Sequence, residues 1–436
     1  MINSGNTAWV LVSSALVLLM TPGLAFFYGG LVRSNQVLNT MKMSFVSLGV
    51  GAVLWTMIGY SLAFGTGNAF IGGLEFFSLQ HVSADPNPNF GATIPHLAFV
   101  VFQMMFAVIT SALISGAIVG RMRFKAYTLF ISIWMLGAYV PLVHWVWGPG
   151  GWIGSMGALD FAGGTVVHVS AGVAALVAAR FVGSRKATQQ DENDSAHNVP
   201  FVVLGASLLW FGWFGFNAGS ALAADGIAAL AFITTMLSAA AAVATWMLAD
   251  IWCKGKPQIT GAAIAAVVGL VAITPAAGYV EPRSAIFIGA AAAVASYIAI
   301  TLIKNSGVDD TLDVFACHGI GGIVGSILTG VFATKGVNPA GADGLLAGNI
   351  DLLVIQTVSV IAAGAFAAAG TFVALYVTRL ITPLRVNDDA ESAGIDYSEH
   401  NERAYAPSWY QPSPTNGEAP AFAMATPSQR HTTHAG

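Results

Sequence analysis

The chain has 436 residues, 56% of them hydrophobic and 9% charged, with a formal net charge of −4. A soluble domain carries roughly 25% charged residues, so the composition excludes a soluble globular protein, and the acidic balance gives no reason to expect a nucleic-acid partner. The apolar segments lack the alternation of barrel strands, which leaves an all-α integral membrane protein whose 49 glycines suit close helix packing.

A span needs about 20 apolar residues. In chain order the runs fall near 8–32, 42–65, 97–120, 126–147, 164–183, 200–222, 227–251, 258–275, 284–303, 314–333 and 351–379. These read as eleven transmembrane helices. No Lys or Arg precedes the first run, so it reads as a retained span with its N-terminus outside rather than a secretory signal. An odd count then puts the C-terminus in the cytoplasm. The basic residues agree: all of the 17 Lys and Arg except Arg283 and Lys335 fall on the expected inner side.

The membrane domain is expected over 1–383. The segment 384–436 is polar and rich in Pro, Ser, Thr and Asn, too poor in apolar residues to form a core of its own. It reads as a cytoplasmic tail, ordered to about 406 and disordered beyond. Cys253 and Cys317 fit neither a disulfide framework nor a zinc site. His81, His96 and His144 show no metal spacing, and His144 reads as a packing residue. Among catalytic signatures, His-Glu-x-x-His and the Walker loop are missing, so neither an enzyme nor a cofactor is expected.

Two apolar runs carry titratable side chains, Asp160-Phe-Ala-Gly-Gly-Thr-Val-Val-His168 and Asp313-Val-Phe-Ala-Cys-His318. A buried polar group without a partner costs several kcal/mol, and an ionisable residue at membrane depth marks a functional path. One such histidine alone reads more naturally as a satisfied core residue. Here one lies on the fifth span and one on the tenth, 150 residues apart, about the length of one half. Spans one to five and six to ten therefore read as inverted five-helix repeats, followed by one long C-terminal helix. Such repeats bring functional groups together near the midplane. Asp160 is expected at a helix N-terminus, chiefly structural, with a secondary pull on a cation. Asp313 is expected to cap its own helix.

Four stretches carry a family resemblance: Thr21-Pro-Gly-Leu-Ala-Phe-Phe-Tyr-Gly-Gly30, Ala158-Leu-Asp-Phe-Ala-Gly-Gly-Thr-Val-Val-His168, Gly212-Trp-Phe-Gly-Phe-Asn-Ala-Gly-Ser220 and Asp313-Val-Phe-Ala-Cys-His-Gly-Ile-Gly-Gly322. In that order they resemble the ammonium transporter family (ammonium transporters, methylammonium permeases and Rhesus proteins), over nearly the whole chain to about residue 406. The resemblance implies a homotrimer with one pore per subunit in the cytoplasmic (inner) membrane. It nominates Phe106, Trp147 and Ser220 for an outer ammonium-binding site, Phe106 and Phe216 for a stacked gate, and His168 and His318 for the pore beneath. Without it, Trp147 would read as an interface anchor and the phenylalanines as ordinary packing.

The implied activity is uptake of ammonium, and of methylammonium where it is accepted, by deprotonation and passage of ammonia; the residues leave open whether a proton travels separately. Two alternatives stand beside it. One is a Rhesus-like neutral-gas channel, against which Trp147 and Ser220 speak. The other is an ammonium sensor that signals through its tail. The stretch Gly394-Ile-Asp-Tyr-Ser-Glu-His-Asn-Glu-Arg-Ala-Tyr-Ala406 resembles the family's cytoplasmic tail, with Asn401 where Gly is common; Asn tolerates left-handed backbone. The resemblance also implies a PII-type signal protein as a partner at the inner face.

Overall fold

The computed structural model describes residues 1–186 and 196–405. Expectations for the chain beyond 405, including its disordered end, lie outside the described residues. Met1–Ala404 form one compact unit, whose regular structure among the described residues is helical apart from one isolated antiparallel bridge, Met122 to Arg385.

Ten helices are long and apolar enough to cross a bilayer: α1 (Ser4–Leu31), α2 (Val37–Phe64), α3 (His96–Ala117), α4 (Phe124–Ser155), α5 (Gly164–Val182), α6 (Val199–Ala221), α7 (Gly226–Lys254), α9 (Pro282–Asn305), α10 (Phe315–Phe332) and α11 (Ile350–Ile381). Between α7 and α9 lies the shorter α8 (Ile259–Ile273), buried along almost its whole length. Each of the eleven expected runs thus falls on a helix. Large apolar side chains such as Phe45, Val53, Leu248, Leu302 and Ile361 face outward. Apolar belts of this kind, on helices of this length, make the chain a multi-pass membrane protein.

One span starts early: α2 begins at Val37 rather than near 42. Its first turn holds Leu38 and Asn39, residues that the expected run leaves outside. They enter the helix because the tail supplies a cap: the Asp396 carboxylate accepts the backbone N–H bonds of Leu38 (3.0 Å) and Asn39 (2.8 Å). Two short helices, α12 (Asp388–Ala393) and α13 (Ile395–His400), carry that carboxylate to the bundle. Asn401 closes α13 in the left-handed region at φ 54°, so asparagine makes the turn where glycine is common.

α5 and α10 cross at the centre and run antiparallel. Thr165 Oγ1 meets Ser326 Oγ (3.2 Å), whereas His168, one turn further along α5, meets His318, two turns earlier on α10. A side chain at the crossing would press on backbone: a Cβ on Gly172 would lie 2.1 Å from the Gly319 nitrogen, and one on Gly322 would lie 3.1 Å from the Val169 nitrogen. The two contacts interchange under a shift of 150 residues, as two halves related by a pseudo-twofold axis require. Both helices open with a π-turn, Gly164–Val169 and Phe315–Ile320, and each π-turn holds one of the histidines. Such turns gather at functional sites.

Candidate functional site

The starts of α5 and α10 repeat one device. Ahead of α5, the Asp160 carboxylate accepts four backbone N–H bonds, from Gly163, Gly164, Thr165 and Val166, at 2.6–3.1 Å. It thereby satisfies the orphan donors of a helix start. Gly163 takes φ 114°, and its carbonyl accepts from the Val167 N–H. At the equivalent place in the second half Asp313 takes φ 56°, and its carbonyl accepts from the Cys317 N–H.

The carboxylate that receives the Phe315 N–H is Asp310, at 2.7 Å. The cap expected of Asp313 therefore belongs to Asp310, and Asp313 contributes backbone curvature instead. The physical reason is the turn itself: it brings back a side chain three residues earlier, as Asp160 stands three before Gly163. Burial pushes the Asp310 carboxyl up to about 7, against the Phe315 and Val314 N–H bonds and with nearby Asp313 adding to the rise.

From this frame the two imidazoles meet. Their Nδ1 atoms are 3.3 Å apart and the ring centroids 5.3 Å apart, with both side chains buried. One Nδ1 must donate and the other accept, so two neutral rings of opposite tautomer satisfy the contact. The Nε2 of His168 is buried and has no protein partner. A small apolar cavity adjoins the pair, walled by Met20, Leu24, Phe27, Ile109, Leu113, Val167, Leu209, Trp213, Phe216 and Val267. The two histidines are the titratable groups in that wall.

The other nominated residues stack in order on one side of the pair. Phe216 lies nearly parallel to His168 at 5.9 Å. Phe106 covers Phe216 at 4.3 Å, and Trp147 stands perpendicular to Phe106 at 6.2 Å. Both phenyl rings are buried, while Trp147 and Ser220 are partly exposed. The Trp147 indole N–H donates to the Asp160 carbonyl (2.9 Å), which ties the aromatic face to the α5 cap. Ser220 Oγ donates to the Phe216 carbonyl (2.9 Å), leaving its lone pairs for another donor. All six of Phe106, Trp147, Ser220, Phe216, His168 and His318 thus belong to one file.

Sequence reasoning passed over Trp213, which stacks on His168 at 5.4 Å and 24° and is fixed by its N–H to Thr274 Oγ1 (2.9 Å). Its signal was present, since it sits in the motif that carries Phe216, one turn earlier on the same face. The other histidines lie apart from the file. His144 faces the carbonyls of Ala63 and Asn68, and His96 bonds Tyr60. No group of three or more metal-ligating side chains occurs among the described residues.

Comparison with known proteins bears on this geometry. The profile described as the Ammonium Transporter Family matches residues 8–405. An ammonium transporter of Bacillus subtilis is 50% identical over 402 residues, covering 92% of this chain and 98% of the relative. One from Aquifex aeolicus is 49% identical, covering 93% and 94%. Among solved structures, Saccharomyces cerevisiae Mep2 superposes with a TM-score of 0.82 at 36% identity, covering 89% of this chain and 88% of that one. A protein titled "Sensor Amt Protein" superposes with a TM-score of 0.83 at 29% identity, covering 91% and 98%.

Proposed function

The chain belongs to the ammonium transporter family, and from that premise we propose that it captures ammonium at one mouth of the bundle, removes a proton and conducts ammonia past His168 and His318. The observation that carries this reading is the buried imidazole pair directly beneath the Phe106–Phe216 stack.

Ammonium offers four N–H donors, and moving it bare into hydrocarbon costs tens of kcal/mol. At the mouth Trp147 and Phe106 offer ring faces, each good for about 0.5–2 kcal/mol of cation–π attraction. Ser220 offers a hydroxyl acceptor, and the Asp160 carboxylate adds a longer-range field. The phenyl stack is apolar and closed, so a hydrated cation meets a barrier there. A neutral ammonia needs only a brief ring displacement. Loss of one proton from ammonium to water at that mouth therefore converts a species the gate rejects into one it passes. Below the gate, the imidazoles present one donor and one acceptor edge to ammonia without adding net charge. Two positive charges in so low a dielectric would repel strongly, which keeps the pair from becoming an ammonium trap.

The mouth opens outward and the basic end faces the cytoplasm, as positive-inside asymmetry favours. The working unit is a homotrimer in the cytoplasmic membrane with one path per subunit. Residues 384 onward form a cytoplasmic tail, and a PII-type signal protein binds the inner face. Docking of α12 and α13 on the bundle supports a regulatory role for that tail, as does the likeness to a protein titled as a sensor. The chemistry is transport with proton transfer and no other bond made or broken.

The test is reconstitution. Proteoliposomes holding the full chain should take up nitrogen on an ammonium gradient, and His168→Ala should either abolish that uptake or convert the path to an ion leak. Wild-type uptake and ion exclusion by His168→Ala would contradict the reading. Electrical recording in the same membranes separates charge movement from neutral flux.

A further inference from the structure

A cleft of about 480 Å³ opens at the basic end of the bundle, where the last turn of α11 passes the end of α5. Its walls include Phe181, Arg379, Thr382, Pro383 and Arg385, and no acidic residue. We propose that this cleft binds the phosphodiester headgroup of an anionic phospholipid from the adjoining leaflet, with Arg379 and Arg385 as its ligands.

Three observations carry the proposal. The Arg379 guanidinium is exposed and makes no hydrogen bond or ion pair among the described residues. Arg385 is rigidly held: its Nη1 donates to the Val182 and Ser184 carbonyls, and its Nη2 pairs with Glu391 at 2.7 Å. Its side chain nevertheless stays 30% exposed. One exposed guanidinium, with its fork uncommitted among the described residues, and one fixed guanidinium line the same cleft and offer N–H donors that match phosphate oxygens.

The third observation names the source of the phosphate. Phe372, Val373, Tyr376 and Leu380 lie on one outward face of α11 and are 51–70% exposed. Phe372 also packs on Phe181, so this apolar strip leads directly into the cleft. A soluble phosphate would have no use for the strip, whereas acyl chains would lie along it. The inference concerns binding alone and stands whether or not the transport reading holds.

The experiment titrates the full chain, in a non-ionic detergent, with dioleoyl phosphatidylglycerol, dioleoyl phosphatidylcholine or glycerol 1-phosphate, and reads bound lipid by native mass spectrometry. Phosphatidylglycerol should bind at least fivefold more tightly than phosphatidylcholine, and Arg379→Gln should remove about fivefold of that affinity. Arg379 is exposed, so this variant should fold. Lys304→Gln, an exposed charge loss elsewhere at the same end, should change nothing. Equal binding of the two lipids would overturn the proposal, as would full affinity in Arg379→Gln. An equal loss in Lys304→Gln would mean diffuse surface charge, and displacement by glycerol 1-phosphate would mean a soluble-anion site; either also overturns it.

Discussion

Asp160 and Asp310 hold the same position in the two halves, each eight residues before a histidine and each bonded to backbone N–H groups at the start of a π-turn. The device is unequal. Asp160 serves four N–H groups, whereas the Asp310 carboxyl serves those of Phe315 and Val314.

That inequality sets an order of stability. Asp160→Ala strands four buried donors and should cost roughly 2–4 kcal/mol. Asp160→Asn keeps an acceptor and should cost about half. Asp310→Ala should fall below Asp160→Ala. Thermal unfolding of the purified variants in detergent reads the order directly. An Asp160→Ala protein that melts with the wild type would show the cap to be unimportant.

Much of this was legible in the sequence. Hydropathy marks spans because a bilayer admits few charges, and the eleven runs all fall on helices. Histidines at membrane depth announce themselves for the same reason. The segment Asp309-Asp-Thr-Leu-Asp313 misleads because it offers three carboxylates within five residues, and only backbone curvature decides which one turns back. The eight-residue interval from Asp160 to His168, carried across, would have selected Asp310. The early start of α2 was hidden because its cap comes from Asp396, more than 350 positions away. Hydropathy reports transfer from water and contains no term for a distant acceptor. Trp213 had a signal in the motif it shares with Phe216, but its stacking on His168 is invisible until the two helices are placed.

Ser220 gives a prediction about affinity rather than rate. Its hydroxyl hydrogen is committed to the Phe216 carbonyl, so toward a cation it can only accept. Removing one accepting oxygen with Ser220→Ala should raise the half-saturating ammonium concentration about two- to tenfold, the range of one net hydrogen bond. Maximal flux should change little, because the Phe106–Phe216 stack and the imidazole pair are untouched. Uptake against concentration in proteoliposomes distinguishes the two parameters. An unchanged half-saturation point would remove Ser220 from the capture site.

Gly172 tests the crossing of α5 and α10. A methyl group there would sit 2.1 Å from the Gly319 nitrogen, which is backbone and cannot swing aside. Gly172→Ala should force the helices apart and cost about 1–3 kcal/mol or more, while stretching the 3.3 Å imidazole contact. Gly49 is the control: a Cβ there meets nothing within 4 Å. Gly49→Ala should be neutral or stabilise by up to about 1 kcal/mol, since alanine favours helix. Comparable losses at both positions would point to a general intolerance of glycine replacement.

The tail carries a pH dependence whose sign follows from its surroundings. His400 faces Asn39 and Lys42 of α2 and the Phe124 ring of α4, with Asp396, Glu399 and Glu402 nearby in its own segment. In the docked state Nε2 donates to Asn39 Oδ1 (2.9 Å) and Nδ1 accepts from the Lys42 ammonium (3.3 Å). Burial first, and then Lys42, hold its pKa below 6.5. The docked tail thus binds this proton less well than a released tail does. Docking should be strongest above about pH 6.5, the released value, and should weaken as pH falls below it. Asp396 acts oppositely, because burial raises its carboxyl above 3.8 despite the Asn39 and Leu38 N–H bonds. That contribution strengthens docking as pH falls, but the released carboxyl titrates near 3.9, leaving His400 to lead at the upper edge of the window. A nitroxide at position 402, in a Cys253→Ser background, should therefore become more mobile between pH 7.5 and 5.5. His400→Gln can still bond Asn39 but cannot charge, so its mobility should stay flat. Equal mobility of the wild type at both pH values, or an undiminished rise in His400→Gln, would place the proton elsewhere.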